Sequence, residues 1–450
     1  MFPDLISTFV AGLLALYFPS TPTTLKRVRD NGAMSVAVRV HPGSYYSLDT
    51  TAGGFDYELA HQFADRLGVG LDFIVVKSIA DSKRMILHGR ADLAATAMHV
   101  LEENTPVLRY GPVYGVSRSV VVYRQGSRRP GKPSDLEGKK LVVPAGTAHA
   151  RTLRELKPDH PALTWTEETK SGVLQLLRNV YEGILDFTLA DDYEFADIRR
   201  VYPELRTGFE IVRQHGFAWA LPRDADDSLY FEMLVFLNAL RSSGRLAQIR
   251  DYYFRRPGRF DYVDARKFLS HVEVRLPRYK KIFKNAAEKN GLDWRLLAAL
   301  GYQESHWNPE AVSPTGVRGL MMLTRVTAAH LGIEDRLDPK QSIRGGARYF
   351  RTLVDRIPDR IEAPDRTWLA IAAYNIGYGH LEDARVLAQA NGGNPDRWED
   401  VRRFLLLKEK AEWHGKTRHG FARGAEAVYY VGKVQRYYET LISLDLMASL

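Results

Sequence analysis

The chain has 450 residues and no cysteine. That absence excludes disulfides, thiolate metal sites, a cysteine nucleophile and lipid attachment through a cysteine. Long apolar runs are scarce too. The most prominent, Leu5–Phe18, is fourteen residues long, short of the roughly twenty that a membrane-spanning helix needs. Its length suits the apolar part of an export signal, although Met1-Phe2-Pro3-Asp4 supplies no Lys or Arg ahead of it. Residues 1–24 are therefore expected to be either an export signal or a retained anchor. No internal repeat, low-complexity tract or nucleic-acid-binding motif is found. His306, His330, His380, His414 and His419 follow no metal-ligand spacing, so neither metal nor cofactor is expected.

What is present is an ordinary globular composition. A hydrophobic fraction of 45% at this length predicts two or three domains, each with its own core. The net charge of +9 favours acidic partners in general. Dispersed basic residues and the lack of a motif argue against nucleic acid.

From residue 35 to 254, strand-like and helix-like segments alternate. Residues 35–40, 71–77 and 91–97 read as strands, and residues 57–68 and 82–89 as helices. Residues 139–156 and 183–198 repeat the strand–turn–helix plan. The expectation for residues 33–256 is a two-lobed α/β domain with largely parallel sheets and a ligand cleft between the lobes. Pro257-Gly258 breaks helical continuity. Beyond Leu276 nearly every segment reads as helix, so residues 270–450 are expected to form an all-α domain.

The most informative stretch lies within that second domain. Leu297 and Leu300 precede Glu304 by seven and four residues, so a helix places all three on one face. Asp293 is the expected N-cap and Asn308-Pro309 the expected end. A glutamate on a buried face needs a reason. Burial raises its pKa and suits it to donate a proton, while a buried Glu–Arg pair is the plain alternative.

Around Glu304-Ser305 the sequence then offers Gly316-Val317-Arg318-Gly319-Leu320-Met321-Met322 and Ala373-Tyr374-Asn375-Ile376-Gly377, in that order. These words resemble the lysozyme-like catalytic domain of lytic transglycosylases that cleave bacterial peptidoglycan. The domain order is similar to that of the membrane-bound lytic murein transglycosylase F type.

The resemblance implies that Glu304 cleaves the β-1,4 bond between N-acetylmuramic acid and N-acetylglucosamine without water, leaving 1,6-anhydromuramic acid ends. It assigns Ser305, Gly319, Met322, Tyr374, Asn375 and Tyr430 to substrate binding, with Gly316 and Leu320 in the same loop. Met322 stands where many relatives carry Gln. Tyr429 leaves the Tyr430 assignment open by one position, and Glu426 is expected to be structural. A helix-end hydrogen bond for Ser305 and core packing for Met321 and Met322 remain the plain readings. The resemblance further implies a periplasmic location, peripheral to the outer membrane, with peptidoglycan strands as partner.

The first domain resembles periplasmic binding proteins for polar amino acids. Gly54-Phe55-Asp56-Tyr57-Glu58-Leu59 matches an early helix start, Gly146-Thr147 an anion-holding turn, and Asp191 the acid for a ligand ammonium. Asn104 departs from the pattern that precedes the carboxylate-binding Arg, and Arg109 is the substitute on offer. A muropeptide or an amino-acid-like ligand, or a cleft that has lost its ligand, is expected. Two other functions stay open: a lysozyme-type hydrolase using Glu310 or Glu334 as second acid, and a non-enzymatic cell-wall or solute sensor.

Overall fold

Most of the expected first-domain strands form where the alternation puts them, but the sheet they build is mixed. The computed structural model describes residues 22–41, 43–48, 51–254, 262–313 and 316–449. The apolar run at Leu5–Phe18 and the Pro257-Gly258 break lie outside those residues. The first lobe holds α1 (Thr24–Asn31), β1 (Ala33–Arg39), the short pair β2 (Tyr46–Leu48) and β3 (Thr51–Gly53), α2 (Phe55–Leu67), β4 (Gly70–Val76), α3 (Ile79–Leu87), β5 (Leu93–His99) and β6 (Leu108–Tyr110). After β7 (Gly115–Arg124) come β8 (Val142–Pro144), α4 (Ala148–Leu156), β9 (Thr166–Glu168), α5 (Val173–Glu182), β10 (Thr188–Asp191) and α6 (Asp192–Ile198) of the second lobe. The chain returns through β11 (Leu205–Pro222) to α7 (Ser228–Ser242) and α8 (Arg245–Phe254).

The strand order is β10-β7-β11-β5-β1-β4, with β6 on β11. β1 runs parallel to β4 and β5, as expected. β11 is antiparallel to β5, β6 and β7, and β7 is antiparallel to β10. The expectation of largely parallel sheets is corrected here, because it overlooked β7 and β11. β11 spans eighteen residues with register shifts. Such irregularities bend a strand, which lets one strand serve both lobes. Each lobe buries its own apolar set: Val36, Phe63, Leu93 and Trp219 in the first, Val121, Val143 and Leu189 or Val122, Leu177 and Ile198 in the second.

The second domain is helical, as expected: α9 (Tyr262–Val274), α10 (Lys280–Glu288), α11 (Trp294–Ser305), α12 (Arg325–His330), α13 (Pro339–Arg356), α14 (Asp365–Ile376), α15 (Tyr378–Ala390), α16 (Trp398–Leu407), α17 (Ala411–His414) and α18 (Gly424–Ser449). Every residue from Trp294 to Tyr302 is buried, so α11 is the central helix that the others surround. Asp293 caps it as expected, its side chain accepting from the Arg295 amide at 2.9 Å.

The end of α11 differs from expectation. The helix stops at Ser305, and His306 and Trp307 take positive φ values of 51° and 55°. This reversal turns Trp307 inward to 1% exposure, where its indole donates to the Ala298 carbonyl at 2.8 Å. Burial of a large aromatic ring is the compensation for two left-handed residues.

α18 joins the two domains. Its distal residue Met447 lies in the second-lobe core with Phe195 and Ile198, and Leu444 packs on both cores. Glu439 pairs with Arg200, just beyond α6.

Candidate active site

α11 and α18 meet at Glu304. The Tyr430 phenol, buried on α18, donates a hydrogen bond to Glu304 Oε1. Burial raises the Glu304 carboxyl from 4.5 to about 7, and the Tyr430 hydrogen bond acts in the opposite direction. Among the described residues no cation and no second acid contributes to that shift. The plain Glu–Arg alternative therefore does not describe this site. Glu310 and Glu334 are both exposed.

A loop over residues 316–323 closes one side. Gly319 sits at φ 95°, and a Cβ there would lie 2.1 Å from the Arg336 carbonyl, so no other residue fits. The loop is held through its backbone. The Ser305 hydroxyl donates to Leu320 O at 2.8 Å and to Gly301 O at 3.2 Å. Met321 N donates to Ser342 Oγ at 3.1 Å, and Arg336 Nη1 to Leu323 O at 2.8 Å. Tyr374, from α14, donates its phenol proton to Met321 O at 3.0 Å. It stands near enough to Glu304 for the carboxylate charge to help push its own pKa up, after burial.

These contacts sort the expected residues. Ser305 is buried and engaged with the loop, as is the Tyr374 hydroxyl. Met321 is core at 0% exposure, whereas Met322 is half-buried, at φ 47°. Asn375 follows Tyr374 near the end of α14, and its side chain has no hydrogen-bond partner among the described residues. Tyr430 is the buried member of its pair and the one bonded to Glu304, whereas Tyr429 is 59% exposed. Sequence reasoning missed Ser342 and Arg336, whose role depends on where α13 packs.

The first-domain cleft is filled by the chain's own polar groups. Thr147, expected as a ligand residue, donates its hydroxyl to Pro144 O at 2.7 Å. Asp191 is buried, accepting from Ser117 Oγ at 2.7 Å and lying 3.1 Å from His99 Nε2. Burial alone would raise its pKa, but His99 and His149 hold it far below the usual range. Arg39 of the first lobe pairs with Glu194 of the second at 2.5 Å. The remaining cavity is about 20 Å³, room for about one water. Arg39, His99, His149 and Glu194 were missed. Arg39 and His99 are polar residues closing buried apolar strands, which is a readable signal. Arg109 does not reach this cleft: it pairs with Asp227 and stacks over Tyr230. Asn104 accepts from Lys83 Nζ at 2.8 Å.

The Transglycosylase SLT domain family matches residues 281–396, and the bacterial extracellular solute-binding proteins, family 3, match residues 34–256. Membrane-bound lytic murein transglycosylase F 1 of Alkalilimnicola ehrlichii is 46% identical over 424 residues, 94% of this chain and 86% of that protein. Membrane-bound lytic murein transglycosylase F of Aeromonas hydrophila subsp. hydrophila is 42% identical over 438 residues, 97% of this chain and 88% of that protein. A solved mutant of ArgBP from T. maritima aligns at TM-score 0.47 and 20% identity, covering 52% of this chain and 100% of that one.

Proposed function

The chain belongs to the membrane-bound lytic murein transglycosylase F family and is a peptidoglycan lytic transglycosylase; from that premise we propose that Glu304 serves as acid and then as base. Breaking a glycosidic bond requires a proton on the departing oxygen. A carboxyl held near neutrality by burial supplies it. The N-acetyl oxygen of the muramic acid stabilises the positive anomeric carbon. Glu304, now ionised, removes the proton of the sugar's own C6 hydroxyl, and that oxygen closes the 1,6-anhydro ring. An internal nucleophile has a large effective concentration and needs no carboxylate to activate water.

The observation that carries this reading is a carboxylate whose pKa burial raises to about 7, hydrogen-bonded to Tyr430 and, among the described residues, with no second acid acting on it. A hydrolase would need a second acid within reach of the same bond. In this reading Tyr430 orients the carboxyl between its two proton transfers. Ser305, Gly319 and Tyr374 fix the loop that lies against the glycan, and Met322 and Asn375 face the sugar. Mass spectrometry of products from purified peptidoglycan tests it. Ends lighter by one water than hydrolysis products support the scheme, and reducing muramic acid ends refute it.

The first domain is read as a small-ligand cleft. A ligand ammonium at Asp191 would take the place of His99, and an anionic group would meet the α4 N-terminus at Thr147. We place the protein in the periplasm, peripheral to a membrane. Among the described residues no helix is long and apolar enough to cross one.

A further inference from the structure

A concavity that the proposed reaction does not use lies on the same helices, α11 and α18, that carry Glu304 and Tyr430. It is a pocket of about 160 Å³ between α9, α11 and α18, lined by Asp264, Lys267, Gln303, His306, Tyr429 and Lys433 among others. Its charge is one-sided. Lys433 pairs with Asp264, the one carboxylate in the lining. Lys267 is exposed and has no carboxylate partner among the described residues. Arg275 adds a further cation at the rim, donating to the His306 carbonyl at 2.9 Å.

The two neighbouring histidines register this field. Burial first, then Arg275, His306 and Lys267, hold His271 down at about 4. His306 is lowered by burial and by Lys267, Arg275 and Lys433, against Asp264. A concave site with converging cations concentrates anions.

Position then narrows the ligand. Gln303 precedes Glu304 on α11, and Tyr429 precedes Tyr430 on α18, so the pocket is built on the same two helices as the acid and its phenol. Its volume is below the several hundred Å³ of a complete small-molecule site, which suits one charged group of a longer ligand. The muramic acid beside the scissile bond carries a peptide stem rich in carboxylates. We propose that this pocket is a subsite for a carboxylate of that stem, held by Lys267 and the Lys433 side of the pocket while the glycan lies at Glu304. The proposal rests on the reading of Glu304 given above. A lipid surface fits less well, because these cations line a concavity instead of a flat face.

The test uses the full chain and two substrates: glycan strands carrying their peptides, and the same strands stripped by an amidase. Lys267→Glu is expected to raise KM on peptide-bearing strands roughly tenfold, the equivalent of about 1.4 kcal/mol, with kcat unchanged. KM on stripped strands should not move. Lys267→Gln should give a smaller change in the same direction, and high salt should erase the wild-type preference for peptide-bearing strands. Equal KM changes on both substrates, or none on either, would overturn the subsite. So would a loss confined to binding of phosphatidylglycerol vesicles, which would reassign the pocket to lipid. Reducing muramic acid ends from the wild type would instead sink the reading of Glu304, while the KM comparison still decides the pocket.

Discussion

Tyr430 and Glu304 stand 126 positions apart in the chain, yet the phenol of one donates directly to the carboxyl of the other. The bond favours the ionised carboxylate, and burial favours the neutral acid. The two effects leave the acid poised between its two states near neutral pH, as the proposed acid-then-base role requires.

The pH dependence follows from that balance. In the proposed reaction protonated Glu304 acts first, so kcat/KM should fall as pH rises through about 7. Tyr430→Phe removes the interaction that lowers the pKa, and the alkaline limb should move to higher pH. A pH–rate profile that stays in place would disconnect the pair.

Glu304→Gln should reduce release of soluble fragments from purified sacculi by roughly 10²–10⁴-fold or more. It should also stabilise the fold in a defined window. A folded pKa of about 7 against 4.5 unfolded makes the ionised acid a cost that is absent below pH 4.5 and complete above about 7. Thermal unfolding should show the variant gaining on the wild type between those values. A variant that unfolds earlier at pH 8 would contradict the assignment.

Gly319→Ala should destabilise the second domain by roughly 2 kcal/mol or more, since a left-handed backbone and a carbonyl at 2.1 Å both oppose it. Ser305→Ala should cost about 1–3 kcal/mol by leaving the Leu320 carbonyl without its partner. Both are measured by denaturant unfolding. Activity should fall more than stability accounts for, because the loop borders Glu304.

In the first domain, burial works to lower the His99 pKa, but Asp191 outweighs it and the net shift is upward. Stability from this pair should be complete below the unfolded histidine value of 6.5 and be lost as pH rises through the raised folded value. Small-angle scattering should find the lobes further apart at alkaline pH. Asp191→Asn should remove that dependence and cost roughly 3 kcal/mol, because a buried charged partner is left alone. Scattering that is flat with pH in the wild type would reject this role for the His99–Asp191 pair.

Legibility in the sequence tracked how local each cause is. Leu297, Leu300 and Glu304 share a face through helix geometry alone, and Asp293 caps through contact with its second neighbour, so both could be read off the chain. The family was legible from three ordered words. The direction of β7 and β11 was not, because antiparallel pairing across two lobes leaves no local mark. Ser305 shows the same limit: its type fits a glycan contact or a helix-end hydrogen bond, and its bond to Leu320, fifteen residues on, leaves no local mark. The end of α11 was misjudged because the burial of Trp307 outweighs the Asn308-Pro309 stop signal.

α18 has a temporal consequence. A chain that emerges from its N-terminus presents Glu304 long before Tyr430, and the second-lobe core waits equally for Met447. Neither the surroundings of Glu304 nor the core of the second lobe can be finished until one late helix arrives. A partly emerged chain thus carries Glu304 without the Tyr430 phenol and a second lobe without Met447, and the docking of one helix completes both at once.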